Sequence, residues 1–158
     1  MRLASQVFDL AKKSGVTIIT AESCTGGLIA AAITDIAGSS AVFDRGFVTY
    51  SNDAKREMLG VQGATLDAFG AVSEETAREM ATGALEHSAA QLALSVTGIA
   101  GPGGSDFKPE GRVCFGLCYA GLTQLETVEF GALGRENVRN AARDHGLNMI
   151  LRALLENA

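Results

Sequence analysis

Histidine is scarce in this chain of 158 residues. The two present, His87 and His145, fall on expected helices far from any glycine-rich turn. With no imidazole beside a candidate nucleophile, a Ser-His-Asp triad is not indicated. Cysteines number three, Cys24, Cys114 and Cys118. An odd count without framework spacing argues against structural disulfides. No histidine accompanies them to make a zinc site, and Cys114 and Cys118 read as small buried hydrophobes on one face of a strand. No tight cluster of Asp and Glu marks a divalent metal site, and no metal is expected. No organic cofactor is expected either. Positive charge is also short: 13 Lys and Arg stand against 18 Asp and Glu, for a net charge of -5. There is no basic run interleaved with aromatics, so no nucleic-acid partner is expected. No apolar stretch is long enough to span a bilayer, and residues 1–14 lack the core of a signal peptide. No membrane association and a cytoplasmic location are therefore expected. Repeats, low-complexity tracts and interdomain linkers are absent, and the hydrophobic fraction of 47% suits one globular domain over residues 1–158.

What is present alternates between helical and strand periodicity. Helices are expected over 3–13, 28–36, 73–88 and 135–156, with a short one over 54–59 capped by Asn52 or Asp53 and a turn of helix over 65–69. Strands are expected over 16–20, 42–50 and 91–96, followed by a hairpin of 112–120 and 123–130 joined through Gly121-Leu122. Such interspersed elements give an α/β class, a three-layer α/β/α sandwich on a mixed, mostly parallel sheet.

Two strands run into small-residue, glycine-rich turns. The first, Thr20-Ala21-Glu22-Ser23-Cys24-Thr25-Gly26-Gly27, opens a helix. An exposed hydroxyl and free N–H groups at such a place suit an anion or a nucleophile, although Ser and Thr there also serve as plain caps. The second, Thr97-Gly98-Ile99-Ala100-Gly101-Pro102, lies beside it if the two strands are neighbours, because ligands in open α/β sheets bind at the carboxyl ends of strands. A third strand ends in Tyr50-Ser51-Asn52-Asp53-Ala54-Lys55. A serine nucleophile without histidine needs another base, and a desolvated lysine is the known substitute. Cys24 ranks below Ser23 as nucleophile for want of a nearby base. Arg139 and Arg143 share a face of the last helix, as a phosphate grip or as a solvated surface.

Taken together, these segments resemble the C-terminal domain of the CinA family, whose stand-alone members are nicotinamide-nucleotide amidohydrolases. The likeness runs through the Thr20–Gly27 turn, Ile33-Thr34-Asp35-Ile36-Ala37-Gly38-Ser39-Ser40, and Gly46-Phe47-Val48-Thr49-Tyr50-Ser51-Asn52 with Lys55. It continues in Gly70-Ala71-Val72-Ser73, Thr97–Pro102, Lys108-Pro109 and Gly111, covering nearly the whole chain in order. The resemblance implies hydrolysis of nicotinamide mononucleotide (NMN) to nicotinate mononucleotide and ammonia by a Ser/Lys pair, as a step of pyridine nucleotide recycling. By motif position Ser23 is the nucleophile, Lys55 its base and Thr97 a supporting hydroxyl. Glu22, Thr25, Gly26, Gly27, Tyr50, Asn52, Gly98, Gly101 and Arg139 are expected to line or anchor the substrate. Two segments depart from the family pattern. Lys108-Pro109-Glu110-Gly111-Arg112 stands where relatives often carry Lys-Pro-Val-Gly-Thr, and Gly134-Arg135-Glu136 where they often carry Gly-Asp-Arg. Both bear on the pocket rim. The alternatives are a non-catalytic nucleotide-binding module of the same ancestry and a metal-dependent nucleotide diphosphate hydrolase. Oligomeric state is left open, a homo-oligomer included.

Overall fold

A computed structural model describes residues 2–105 and 107–157. In chain order the elements are α1 (Leu3–Ser14), β1 (Ile18–Glu22), α2 (Leu28–Thr34), β2 (Phe43–Val48), α3 (Asn52–Leu59), α4 (Gly63–Phe69), α5 (Glu74–Glu86), β3 (Leu92–Gly98), β4 (Arg112–Tyr119), β5 (Leu122–Glu129) and α6 (Arg135–Glu156). The strands form one sheet in the order β2-β1-β3-β4-β5. Pairing is parallel for β1 with β2 and with β3, and antiparallel for β3 with β4 and β4 with β5. The sheet is thus mixed: only β4 runs against the rest, while the pairings divide evenly between the two kinds.

Alternation along the strands makes two cores. Leu92, Leu94 and Val96 of β3, with Val113, Phe115 and Leu117 of β4, pack under α1, α2 and α6. Ala93 and Cys118 face the other way, with Met80, Ala81 and Ala84 of α5. The period of two in the strands meets the stripe of each helix, giving the expected three layers. Cys114 and Cys118 do share a face. Gly116 sits between them because a Cβ there would lie 2.7 Å from the carbonyl oxygen of Ala77, so α5 rests directly on the backbone.

Some boundaries moved, for local reasons. Thr17 is held by Gln91, whose Oε1 accepts from its amide at 2.7 Å, so the β1 ladder begins only at Ile18. It ends at Glu22 because β2 and β3 both reach that far. The cap of α3 is Ser51, not Asn52 or Asp53; its Oγ accepts from the amide of Ala54 at 3.0 Å. The hairpin turns on Ala120 and Gly121, with φ of 55° and 77°, one residue earlier than expected. Two successive positive φ values match the right-handed twist of the paired strands.

β1 lies at the point where the connections change sides. The path to β2 crosses by α2 on one face, and the path back to β3 crosses by α3, α4 and α5 on the other. A crevice opens at such a switch, outside the carboxyl ends of β1 and β3.

Candidate active site

The Ser23 turn enters the crevice straight from the ladder: Glu22 pairs with Val96, and the amide of Ser23 still donates to the carbonyl of Val96 at 2.9 Å. A cleft of about 330 Å3 opens there. Its floor is Ser23, Cys24, Lys55 and Thr97; Tyr50, Asn52 and Arg135 stand on one side. Ala71, Val72 and the run from Gly98 to Ser105 form the rest. Neither histidine is among the lining residues. A larger groove of about 540 Å3 lies between α1, α2 and α6. It is lined by apolar residues such as Leu3, Leu28 and Leu147 and by the charged Arg2, Asp35, Arg143 and Asp144, and holds no candidate nucleophile.

Lys55 is among the largest fully buried side chains of the described residues, at 1% exposure. It sits in the first turn of α3, where the Ser51 cap directs the helix inward from the end of β2. Its Nζ lies 3.1 Å from Ser23 Oγ, 2.9 Å from the carbonyl oxygen of Thr49 and 3.4 Å from that of Tyr50. No carboxylate pairs with it among the described residues. Loss of water disfavours an ammonium in such a place, so burial lowers the Lys55 pKa to about 8. Cys24 is driven the other way: burial pushes its thiol up to about 12, and the Glu22 carboxylate adds to the effect. At neutral pH the floor of the cleft therefore holds a protonated thiol, a hydroxyl and an amine near its titration point.

Thr97 Oγ1 donates to the carbonyl of Ala71 at 2.8 Å, which orients its lone pairs as acceptors. Among the described residues the amides of Cys24 and Ala100, both residues of the cleft, donate to no other residue. Among the described residues no group of His, Cys, Asp and Glu is arranged to hold a metal ion. No helix is long and apolar enough to cross a membrane.

The structure brings Ser23, Lys55, Thr97, Tyr50, Asn52, Gly98 and Gly101 to one cleft. Five other expected site residues stand behind it. Glu22 is buried, and its Oε1 accepts from Thr25 Oγ1 at 2.6 Å and from the amides of Gly27 and Ile29 at 3.2 and 3.1 Å. Its Oε2 accepts from the amide of Ala30 at 2.9 Å. The carboxylate thus fills the N-terminus of α2, where a ligand anion had been expected, and Thr25, Gly26 and Gly27 are wrapped around it. Arg139 does not reach the cleft either. Its Nε donates to the carbonyl of Cys24 at 3.0 Å and its Nη2 to that of Thr25 at 3.3 Å, from beneath the turn. Gly26 has φ of +58°, and a Cβ on it would sit 3.1 Å from that guanidinium. Arg143, on the same face, also stays out of the cleft: it bonds Asp144 and Asn140 of its own helix and borders the groove between α1, α2 and α6.

Sequence analysis placed Arg135 at the pocket rim but did not count it among the residues that anchor the substrate. It is the first residue of α6, and its guanidinium reaches beyond the helix end to donate to the carbonyl of Gly101 at 2.7 Å and to Tyr50 Oη at 2.7 Å. It has no acidic partner among the described residues. The cue was available in Gly134-Arg135, a glycine followed by a cation at a helix start, where a cation opposes the dipole and needs a reason.

Because Glu22 ties the nucleophile turn to α2 through four hydrogen bonds, Glu22→Ala should cost about 2–4 kcal/mol of stability. Urea unfolding measures this; a loss below about 1 kcal/mol would show that the turn holds without the carboxylate.

Comparison with known proteins gives a consistent set. A family model described as the CinA C-terminal domain matches residues 1–154. Nicotinamide-nucleotide amidohydrolase PncC of Escherichia coli strain K12 is 49% identical over 158 residues, covering 99% of this chain and 96% of that protein. A CinA-like protein of Kosmotoga olearia is 49% identical over 150 residues, but those cover 94% of this chain and 36% of that longer protein. Among solved structures, the competence/damage inducible protein CihA of Agrobacterium tumefaciens is 52% identical, with a TM-score of 0.91 over 96% of this chain and 93% of that one. A CinA superfamily protein of Klebsiella pneumoniae is 36% identical, with a TM-score of 0.93 over 98% of this chain and 96% of that one.

Proposed function

The chain belongs to the CinA C-terminal domain family, and from that membership and the geometry of the cleft we propose that it hydrolyses the carboxamide of NMN to nicotinate mononucleotide and ammonia through an acyl-enzyme on Ser23. The observation that carries this reading is the 3.1 Å contact between Ser23 Oγ and a Lys55 amine that is 1% exposed.

A neutral amine has two N–H donors and one lone pair. Around Lys55 Nζ stand two carbonyl oxygens, which can only accept, and one hydroxyl, which can donate. With Thr49 and Tyr50 taking the two N–H bonds, the lone pair is left for the Ser23 proton. Ser23 Oγ attacks the carboxamide carbon as Lys55 removes that proton. The amide of Cys24, one residue past the nucleophile, and that of Ala100 are placed to stabilise the oxyanion. The Lys55 ammonium then gives its proton to the departing nitrogen, the C–N bond breaks and ammonia leaves. Water, deprotonated by the same amine, cleaves the ester and regenerates Ser23. The sequence consumes one water and needs no redox partner. The pyridinium of the substrate would bring a positive charge near Lys55 and favour its neutral form further. Such chemistry would return deamidated nucleotide to the pyridine nucleotide pool.

The test is ammonia release from NMN by purified protein with chelator present. Turnover that needs a divalent ion would replace this mechanism with a metal-dependent one, and binding without turnover would favour the non-catalytic module.

Phosphate recognition falls to Arg135 rather than Arg139. Its charge is unneutralised on the cleft wall, and the positive end of the α6 dipole lies beside it. Arg135→Ala should raise KM for NMN by roughly 10–100-fold, the worth of a charge-assisted contact. Nicotinamide riboside, which lacks the phosphate, should be a poor substrate of the wild type and should lose little more in the variant. A variant that loses equally on both substrates would place the phosphate elsewhere.

A further inference from the structure

The segment Lys108-Pro109-Glu110 takes no part in the chemistry above, yet both of its charged side chains are committed to backbone atoms of the cleft walls. Lys108 Nζ donates to the carbonyls of Phe69 and Val72 at 2.7 and 2.5 Å. Between those two, the carbonyl of Gly70 accepts from Ser73 Oγ and Thr76 Oγ1 at 2.9 and 2.8 Å, and that of Ala71 from Thr97 Oγ1 at 2.8 Å. Four consecutive carbonyls of an irregular segment are thus all taken by side chains, and Lys108 supplies the two outer bonds. Ala71 and Val72 form one wall of the cleft.

Glu110 does the same for a second lining segment, the loop through Gly101 and Gly103. Its Oε1 accepts from the amide of Gly103 at 2.6 Å, and its Oε2 from that of Gly134 at 3.4 Å, one residue before Arg135. Arg135 in turn donates to Gly101, closing a ring of contacts through 101–103, 110 and 134–135. The fit is close: with φ of +90° at Gly101, a Cβ there would lie 2.5 to 2.8 Å from the Glu110 side chain. Neither Lys108 nor Glu110 forms an ion pair with another described residue.

We infer that Lys108 and Glu110 are positioning residues that set the affinity for substrate by holding two lining segments of the cleft, 71–72 and 101–103, in fixed positions relative to each other, while the bond-breaking groups Ser23 and Lys55 are held by other contacts. Ser23 and Lys55 are supported by β1, β3 and α3; the side chains of Lys108 and Glu110 bond none of these directly, and their link to β3 is indirect, through the bond of Thr97 to Ala71. The inference rests on the amidohydrolase reading for its kinetic readout and not for its structural one.

The experiment compares Lys108→Met, Lys108→Arg and Glu110→Ala with the wild type. Methionine keeps the stem and loses the donors; arginine keeps donors and charge. Lys108→Met and Glu110→Ala should raise KM for NMN about tenfold or more, with kcat within about threefold and an unchanged pH profile of kcat. Lys108→Arg should recover most of the loss. Amide hydrogen exchange should quicken over 69–73 in Lys108→Met and over 101–104 in Glu110→Ala, and stay slow in β1 and β3. A wild-type KM in Lys108→Met and Glu110→Ala, or a fall in kcat at constant KM, overturns the inference and leaves the amidohydrolase reading intact. Wild-type protein inert toward NMN overturns that reading, and the exchange measurement then decides the bracket: protection unchanged in both variants would refute it.

Discussion

Lys55→Arg should be about as inactive as Lys55→Ala, each losing roughly 10^3-fold or more in kcat, the upper range of general-base catalysis. Arginine keeps the positive charge and most of the length, but its guanidinium does not deprotonate in proteins. If Lys55 served as a fixed cation toward an oxyanion or phosphate, arginine would restore much of the rate. If Lys55 supplies a lone pair to Ser23, it cannot. The pH dependence separates the two further. With its pKa lowered to about 8 by burial, Lys55 is protonated below that pH and neutral above it, so kcat/KM should rise with pH and level off above about 8. That limb should be absent from any residual activity of the arginine variant. Stability carries the same signature. Between pH 8 and 10.5 the unfolded chain holds a proton that the folded chain has released, so stability gains as pH rises through this window. A Lys55→Arg protein with wild-type kcat and an unchanged profile would eliminate the Ser/Lys mechanism.

Ser23→Ala should reduce turnover of NMN by roughly 10^4-fold or more, as loss of the nucleophile does in serine hydrolases. NMN binding and the unfolding midpoint should stay near wild type, because Lys55 is the one hydrogen-bond partner of Ser23 Oγ among the described residues and the change removes one small polar atom. Hydroxylamine should trap the acyl group as a hydroxamate in the wild type and give none in the variant. Cys24→Ala is the control: a thiol at about 12 is not a nucleophile at neutral pH, and this variant should keep most of its activity. Substantial turnover by Ser23→Ala, with loss in Cys24→Ala, would transfer the covalent step to the thiol.

The sequence by itself determined the layered α/β architecture, because periods of 2 and 3.6 are local properties of the chain and each element carried its own. It also determined which three segments meet at the cleft. Strands leading into the Ser23 turn, the Tyr50–Lys55 segment and the Thr97 loop bring their carboxyl ends together once parallel pairing is granted, and motif likeness singled out Ser23 and Lys55 among the serines and lysines. Cap choice and turn register, Ser51 rather than Asn52 and Ala120-Gly121 rather than Gly121-Leu122, depended on which neighbour a strand or helix met. The direction of side chains was decided only by tertiary structure. Glu22 adjoins Ser23 in sequence, but alternation in β1 turns it onto the α2 N-terminus, where its charge is satisfied by amides. Arg139 and Arg135 lie one helical turn apart on α6. One is stopped by the carbonyls of Cys24 and Thr25, and the other clears the helix end and enters the cleft. Helical spacing gives both the same face; the position of the helix terminus relative to the crevice separates them. The lowered pKa of Lys55 belongs to the same class. It comes from the water excluded by β2, α3 and the Ser23 turn together, and desolvation is a property of the assembled fold that no residue or spacing encodes alone.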